Sequence, residues 1–463
     1  MFKKLFQCSI YCFSILPTQS VIAQTLSERV DNYIEQAILD RHIPGLSLAV
    51  IQDGVPVKVK GYGFSNLENN ILVNPETIFQ SGSLGKQFTA TTILQLKKEG
   101  KLKLDDKISN YFSGTPPTWQ NITIRHLLTH TSGIPDYETS NIIDLRKDYT
   151  EQELLQFAMQ LPLDFNPGEK WAYSNTAYVI LGILIHQITD KFYGEVMQEK
   201  IFTPLSMETA RIINEPDIII NRSSGYELQS GNWKNQSWVS PSLNTTADGS
   251  LYLSILDFVK WDAAIAKEKL LTHDDLQLMV TPVKLSNDSP YPYGFGWFLN
   301  KVNGHKAYQH SGSWQGYNGY IERFPDDKLT VIVLTNLNPS NPGLIGRDVA
   351  SLYIPALSRQ KVTIVKDDNV GMTNLITKLY KNPSELSLYD QLISKEGVAK
   401  IKALLISNTS LIKTFGEVEN VASIESNSKN ENRYLIKYKV GSRVAIVTKN
   451  DVGQIVKIVS EAY

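Results

Sequence analysis

The pattern of apolar and polar positions predicts strands at the two ends of a long region and helices between them. The segment GLSLAVIQDGVPVKVKGYG contains two β-rich runs on either side of Asp53 and Gly54, which predicts a hairpin with a tight turn. Far downstream, GYIERFPDDKLTVIVLTNL repeats this arrangement around Pro325. An amphipathic helix is predicted over 26–39, ahead of the first hairpin.

The stretch between the two hairpins has helical patterns. TEQELLQFAMQ begins with a capping box formed by Thr150 and Glu153, and a strongly apolar helix is predicted over 176–189. Strands at both ends and helices in the middle predict one α+β domain over 24–357. Its antiparallel sheet would be flanked by helices and interrupted by a helical insertion.

The tail over 361–463 is predicted to be a small accessory α+β domain. It follows a polar connector, LSRQKVTIVKDDNVG, and shows short helical patterns over 373–412. Three strand-like runs come next: GEVENVASIES, NRYLIKYKV and RVAIVTKNDVGQIVKIVSE. In the second run, Tyr434, Ile436 and Tyr438 alternate with polar residues, which is typical of a half-buried strand. This region has no histidine and no group of residues that suggests chemistry.

The first 23 residues resemble a secretory signal peptide. Lys3 and Lys4 precede an uncharged stretch, and Val21 and Ala23 are small enough for a cleavage site after Ala23. The alternative is an N-terminal membrane anchor, for which Pro17 and the polar residues make the stretch too weak. We therefore expect a periplasmic or secreted protein without a membrane span after cleavage.

Composition narrows the possible chemistry. Cys8 and Cys12 lie inside the signal segment, so the mature chain would have no disulfide, thiol catalyst or cysteine-bound zinc. The formal net charge of -1 gives no reason to expect nucleic acid as a partner. His126 and His130 have the i, i+4 spacing of a metal pair. No glutamate completes a zincin pattern, so we expect neither a metal nor another cofactor.

Three short motifs carry candidate chemistry. In FQSGSLGKQFTA, Ser83 and Lys86 would share one face of a helix start, where a depressed lysine pKa would let the amine act as a base. The alternative is that Ser83 and Lys86 only mark the start of a surface helix, which can have the same serine–lysine spacing. In WAYSNTAY, Tyr173 is a possible proton shuttle and Asn175 a possible ligand for a substrate amide.

The third motif lies in YQHSGSWQGYNGY, just before the second hairpin. His310 and Gly312 are placed to meet a substrate along a strand edge, and the backbone N–H of Ser313 could face an oxyanion. Each motif alone is weak, and His310 could instead be an ordinary strand-end histidine. The tyrosine at 173 could likewise be a packed aromatic beside Trp171.

In this order, the three motifs resemble those of the serine β-lactamase and penicillin-binding protein superfamily. The similarity is greatest to its class C β-lactamase and D-alanyl-D-alanine carboxypeptidase branch, which also includes esterases and D-amino-acid peptidases. TIRHLLTHTSGIPDY and YGFGWF are also similar to that branch. The resemblance implies an α/β sandwich with a five-stranded-type sheet, and an active site between the sheet and the helices.

The resemblance also implies a role for each motif residue. Ser83 would be acylated, and Lys86 and Tyr173 would move protons in acylation and deacylation. The backbone N–H groups of Ser83 and Ser313 would form an oxyanion hole, while Asn175, His310 and Gly312 would bind substrate. These roles describe a serine hydrolase acting on an amide or ester in a small molecule or peptide, with a D-alanyl peptide as the first candidate.

His310 departs from the β-lactamase pattern. It stands where β-lactamases carry the lysine of a lysine-threonine-glycine motif, which is absent here, so efficient β-lactam hydrolysis is not expected. A histidine at this position is more similar to carboxypeptidase or esterase members. An esterase of the same fold remains an alternative, and so does a non-catalytic penicillin-binding or sensor protein.

Overall fold

The computed structural model describes residues 24–140, 142–213, 216–359, 362–382, 393–426, 428 and 430–463. The predicted signal peptide, with both cysteines, lies outside these residues. In the described part of the chain, no helix is both long and apolar enough to cross a bilayer.

The α-helices are distributed along the whole described chain. They are α1 (Leu26–Asp40), α2 (Lys86–Lys98), α3 (Ile124–Leu128), α4 (Tyr137–Ser140), α5 (Glu151–Gln160), α6 (Asn175–Thr189), α7 (Tyr193–Met197), α8 (Ile255–Ala266), α9 (His273–Met279), α10 (Pro342–Tyr353), α11 (Val370–Lys381) and α12 (Lys395–Phe415). Short 3-10 turns include Gly82–Gly85, and a π-helical turn spans Gln198–Phe202.

The strands form one large sheet and several smaller ones. They are β1 (Gly45–Gln52), β2 (Val55–Asn66), β3 (Ile71–Leu72), β4 (Ile78–Gln80), β5 (Arg211–Ile212), β6 (Tyr226–Gln229), β7 (Asn232–Asn235), β8 (Leu251–Ser254), β9 (Val283–Lys284), β10 (Pro290–Tyr291), β11 (Phe298–Val302), β12 (His305–Trp314), β13 (Tyr317–Phe324), β14 (Leu329–Thr335), β15 (Leu337–Asn338), β16 (Val418–Ile424), β17 (Glu431–Tyr438), β18 (Ser442–Lys449) and β19 (Ile455–Ala462).

The large sheet confirms the predicted architecture. Its order is β11-β12-β13-β14-β1-β2-β3, and neighbouring strands are antiparallel. The two predicted hairpins, β1–β2 and β13–β14, therefore meet where β1 pairs with β14. The sheet has seven strands rather than the five-stranded type, because β11 and the two-residue β3 extend its edges.

Both faces of the central strands are buried, which explains their nearly continuous apolar sequences. On β1, Ala49 and Ile51 belong to the apolar cluster that includes α2 and α6, whereas Leu48 and Val50 belong to a cluster with α1 and α10. This separation follows from the two-residue period of a strand. The sheet thus separates the side with α2 and α6, where the first two motifs lie, from the side with α1 and α10.

The predicted helices are confirmed with small changes in their bounds. Thr150 and Glu153 form the expected capping box at α5. The apolar run of α6 is buried from Asn175 to Ile185, which explains its lack of a polar face. The helix expected at Ser83 begins instead as a 3-10 turn and becomes α-helical at Lys86.

The tail contains α11, α12 and a four-stranded antiparallel sheet in the order β16-β17-β18-β19. The sequence interpretation of three strand-like runs was wrong in one respect. The last run is divided into β18 and β19 by a turn at Asn450 to Gly453, where Gly453 has a φ of 83°. The Asn450 side chain accepts a hydrogen bond from the Gln454 N–H and closes this turn.

Candidate active site

Ser83 lies in a tight turn between β4 and α2, with backbone packed closely on two sides. Gly82 has a φ of 52°, and a Cβ there would lie 2.5 Å from the backbone nitrogen of Ser313 on β12. A Cβ on Gly85 would lie 2.8 Å from the Cα of Gly249. Glycine at these positions therefore lets the turn approach both neighbours, and Ser83 itself remains partly accessible.

Lys86 is fully buried and makes three hydrogen bonds. Its Nζ lies 3.0 Å from Ser83 Oγ, 2.7 Å from Asn175 Oδ1 and 2.6 Å from the carbonyl oxygen of Asp248. Burial lowers the pKa of Lys86 to about 8, although the nearby carboxylates of Asp248, Asp136 and Glu138 act in the opposite direction. An ammonium donates all three bonds, whereas the neutral amine can accept the Ser83 proton.

Tyr173 packs its ring against the lysine. The Lys86 Nζ lies 4.9 Å from the centre of this ring. The Tyr173 hydroxyl is buried and has no hydrogen-bond partner of good geometry among the described residues, although the nearby Ser83 hydroxyl acts to lower its pKa. Burial is the larger effect and raises the Tyr173 pKa well above 10, so the group is a phenol that can donate a proton.

Asn175 is held by a carboxylate that sequence reasoning left out of the site. Asp136 Oδ2 accepts hydrogen bonds from the backbone N–H of Asn175 at 2.9 Å and from its side-chain amide at 3.1 Å. The amide oxygen therefore faces Lys86. Asp136 follows the Ser132–Gly133 pair by three residues and has no spacing signal that connects it to Asn175, because the contact is tertiary.

Asp248 and Tyr137 form a buried pair beside the lysine. The Tyr137 hydroxyl donates to Asp248 Oδ2 at 2.8 Å, and the Asp248 carbonyl oxygen accepts from Lys86. Burial raises the pKa of Asp248 and opposes its charge, while Lys86 and the Tyr137 hydroxyl favour the carboxylate. This pair was also missing from the sequence interpretation.

The end of β12 provides a free strand edge. Its pairing with β11 ends at Gln309, so in the described structure the segment from His310 to Trp314 pairs only with β13. A Cβ on Gly312 would lie 1.9 Å from the carbonyl oxygen of Ser81, so only glycine allows the strand to pass this close. The Ser313 backbone nitrogen consequently lies beside the Ser83 turn.

His310 is buried and uncharged. Its Nδ1 lies 2.7 Å from the carbonyl oxygen of Ser311, and its Nε2 lies 3.2 Å from the Tyr293 hydroxyl. Burial, assisted by the charge of Lys86, lowers the pKa of His310 to about 3. The ring centre is 6.1 Å from that of Tyr173, so the residue does border the candidate site. It cannot supply a positive charge there at neutral pH.

The possible metal pair serves other purposes. His126 Nδ1 accepts a hydrogen bond from the Thr123 N–H at the start of α3, and His130 Nδ1 accepts one from the Ser174 N–H. Among the described residues, no cluster of three or more histidine, cysteine, aspartate or glutamate side chains is arranged to hold a metal ion.

Two curated proteins illustrate what the chain is similar to. Penicillin-binding protein 4* of Bacillus subtilis is 31% identical over 294 residues, which are 59% of this chain and 64% of that protein. Protein flp of Staphylococcus aureus strain MW2 is 28% identical over 321 residues, 67% of this chain and 63% of that protein. The matched region thus spans less than two thirds of the length of either relative.

Solved structures share the fold. The penicillin-binding protein from Bacillus halodurans has a TM-score of 0.60 at 25% identity and covers 71% of this chain and 99% of its own. The octameric penicillin-binding protein homologue from Pyrococcus abyssi has a TM-score of 0.63 at 24% identity, covering 94% and 98%. D-amino acid amidase from Ochrobactrum anthropi SV3 has a TM-score of 0.62 at 22% identity, covering 72% and 99%.

A family model described as Beta-lactamase matches residues 23–353, which contain all three motifs. This match covers most of the chain, and the fold agrees with it. The chain belongs to the β-lactamase family.

Proposed function

We propose that this protein is a serine hydrolase that forms an acyl-enzyme at Ser83. The observation that carries the proposal is the 3.0 Å contact between Ser83 Oγ and the Nζ of Lys86. Because burial brings the lysine pKa down to about 8, a useful fraction of the amine is neutral near neutral pH. A partly accessible serine beside such a base has the arrangement that an activated nucleophile requires.

Acylation would begin when neutral Lys86 takes the proton of Ser83 and Oγ attacks the substrate carbonyl. The N–H groups of Ser83 and Ser313 would stabilise the oxyanion. As the tetrahedral intermediate collapses, the Tyr173 hydroxyl would donate its proton to the leaving nitrogen or oxygen, and the Lys86 ammonium would return a proton to Tyr173. Water would then attack the acyl-enzyme carbonyl and give its proton to Lys86, and Tyr173 would donate a proton to Ser83 Oγ. This releases the acid and restores Ser83.

The substrate would lie along the free edge of β12. Gly312 lets this edge lie against the Ser83 turn, so a substrate backbone along the edge would be held near Ser83, and Asn175 would bind its amide. The Asn175 nitrogen carries two hydrogens and uses one on Asp136, so the other is available to an acyl-side carbonyl. The first candidate substrate remains a D-alanyl peptide, which is consistent with the relatives named as penicillin-binding proteins.

A second candidate is an ester or amide without a free carboxylate near the leaving group. The neutral His310 favours it, because this position offers no cation to a carboxylate at neutral pH. A groove of about 540 Å³ beside Ser311 and Ser313 lies against α10, and its lining includes Arg347 and Arg359 but neither Ser83 nor His310. These two guanidinium groups already bind the carboxylates of Glu322 and Asp348, respectively.

The test is covalent labelling followed by mass spectrometry. A fluorescent penicillin and an activated ester should each give an adduct on the peptide that contains Ser83, and Ser83→Ala should give none while retaining the wild-type melting temperature. Labelling by the ester but not by the penicillin would favour the second candidate. A folded protein that is labelled by neither reagent would support a non-catalytic sensor and contradict the proposal.

Export to the periplasm or the exterior is also part of the proposal. Its support is the basic and then uncharged sequence of the first 23 residues, with small residues before the expected cut. Expression of the full chain followed by N-terminal sequencing tests it. A mature protein that begins at Gln24 is expected, whereas a cell-associated chain with its first residues intact would contradict it.

A further inference from the structure

A chain of hydrogen bonds joins the loop before α6 to the free edge of β12. His130 Nδ1 lies 3.1 Å from the backbone nitrogen of Ser174, and its Nε2 lies 3.1 Å from the Tyr293 hydroxyl. That hydroxyl lies 3.2 Å from His310 Nε2, and His310 Nδ1 lies 2.7 Å from the Ser311 carbonyl oxygen. The three side chains that form this chain are essentially inaccessible to solvent.

The two backbone groups at the ends of this series of hydrogen bonds determine which nitrogen of each imidazole carries the proton. A backbone N–H only donates, so His130 Nδ1 is the acceptor and its proton lies on Nε2. A carbonyl oxygen only accepts, so His310 carries its proton on Nδ1 and its Nε2 needs a donor. Tyr293 is placed to satisfy both rings at once, because it accepts from His130 and donates to His310.

Charged rings would break this pattern. An imidazolium at His310 would point an N–H at the Tyr293 hydroxyl, which already faces the N–H of His130. Burial is the main cause that lowers the pKa of both histidines, and the Lys86 ammonium adds to it. The titratable groups that surround the two rings are Lys86, Tyr173, Tyr178 and Tyr293. None of the four is an acid that would stabilise an imidazolium.

The hydrogen bond at Ser174 connects this series of hydrogen bonds to the residues proposed to take part in the reaction. Ser174 stands between Tyr173 and Asn175, and its side chain caps α6 by accepting from the Ala177 N–H. Its own N–H is held by His130. The backbone that orients both Tyr173 and Asn175 is thereby fixed to α6 on one side and to the His130 ring on the other.

We propose that His130 and Tyr293 are positioning residues that hold Tyr173 in place and keep His310 uncharged. This inference rests on the proposed acylation of Ser83, because a positioning role has meaning only if Tyr173 moves a proton there. The two histidines would then act as a pair with opposite tautomers, and Lys86 would be the group in the cleft that changes charge near neutral pH.

The first test is independent of activity. In the intact protein labelled with ¹⁵N-histidine, the imidazole signals at neutral pH should show the Nε2–H tautomer for His130 and the Nδ1–H tautomer for His310. Substitution of each histidine in turn would assign the signals. An imidazolium, or the opposite tautomer at either residue, would overturn the inference whether or not the protein is a hydrolase.

The second test compares two replacements of the same histidine. In His130→Asn, the amide oxygen can still accept from the Ser174 N–H, whereas His130→Gln places its amide near the former Nε2 and loses that acceptor. We expect His130→Gln to lower kcat for an ester on the order of 100-fold with little change in KM, and His130→Asn to lower it much less. If the two variants lose kcat equally, and each loss parallels a decrease in melting temperature, the positioning role is contradicted.

The third test removes only the central hydroxyl. In Tyr293→Phe, His310 Nε2 loses its donor, so the neutral ring is less favoured and its pKa rises. The ¹⁵N signals of His310 should therefore change from the neutral to the cationic form at a higher pH than in the wild type. Tyr226→Phe is a matched control, because the Tyr226 hydroxyl is also buried and accepts from the Leu67 N–H at 2.8 Å. An unchanged His310 titration in Tyr293→Phe would overturn the proposal.

Discussion

The Asp136 carboxylate accepts two hydrogen bonds from Asn175, at 2.9 Å from its backbone N–H and 3.1 Å from its side-chain amide. This double contact decides which end of the amide faces Lys86. The carboxylate also raises the pKa of Lys86 through its charge. Asp136 therefore combines an orienting effect with an electrostatic one, and two substitutions can separate them.

Asp136→Asn and Asp136→Ala should have different effects. The asparagine carbonyl oxygen can still accept from Asn175, so Asp136→Asn should keep most of kcat. Loss of the negative charge should lower the pKa of Lys86, so the rise of kcat/KM, expected near pH 8 in the wild type, should move to lower pH. In Asp136→Ala we expect the same movement and a further decrease in kcat on the order of 100-fold. A pH–rate profile of an ester for all three proteins measures this, and equal kcat values would contradict the orienting effect.

Gly82 gives a test of the close approach between the Ser83 turn and β12. Gly82→Ala should lower the free energy of unfolding by about 1–2 kcal/mol because of the positive φ, and should also abolish acylation because the new Cβ would displace the Ser313 N–H. Gly54→Ala is the matched control, since Gly54 also has a positive φ and a Cβ there meets nothing within 4 Å. Denaturant unfolding and ester turnover measure both effects, and normal turnover by Gly82→Ala would contradict the role of this approach.

Local periodicity explains what the sequence could predict. The contact of Ser83 with Lys86 follows from an i, i+3 spacing, and the strands and helices follow from their two-residue and 3.6-residue patterns. The assembly of the three motifs did not follow from spacing, because Tyr173 and His310 lie far along the chain and meet Ser83 through tertiary packing. It was reached through resemblance to a family.

The remaining contacts had no local signal. Asp136 meets Asn175 across 39 positions, and Tyr293 meets His130 across 163, so neither pair has a periodic pattern. The uncharged state of His310 depends on burial among residues from several elements, which a single sequence does not show. The last strand-like run did contain a signal for its division, because Asn450 to Gly453 is a typical turn sequence. The apolar residues on both sides of this turn made the run look continuous.

The accessory role of residues 361–463 remains a prediction, and the packing suggests how to test it. Leu375 and Tyr380 of the tail belong to the same apolar cluster as Val30 and Ile345 on the side of the sheet opposite to the motifs. Ser83 lies on the other side. A chain that ends at Leu357 should therefore melt at a lower temperature but form the Ser83 adduct at the wild-type rate per folded molecule. Folded protein without an adduct would show that the tail helps to build the site.

The last prediction concerns how pH affects the choice between substrates. If His310 recognised a carboxylate by its charge, acylation by carboxylate-bearing substrates would weaken relative to neutral esters as pH rises through the histidine pKa. With that pKa lowered to about 3, the imidazole is already neutral throughout mildly acidic and neutral solution, and its protonation lies below that range.

We therefore expect the ratio of kcat/KM for the two substrate types to stay constant from mildly acidic to neutral pH. Deprotonation of Lys86 acts on both substrates alike and cancels in this ratio. His310→Lys should raise the ratio in favour of the carboxylate wherever the new amine is protonated, and His310→Gln, which is neutral at every pH, is the control. The contrary result is a wild-type ratio that falls as pH rises between 5 and 7, with no such fall in His310→Gln. That result would show that His310 is charged in the working enzyme, and it would contradict both its neutral state and the argument for the second candidate substrate.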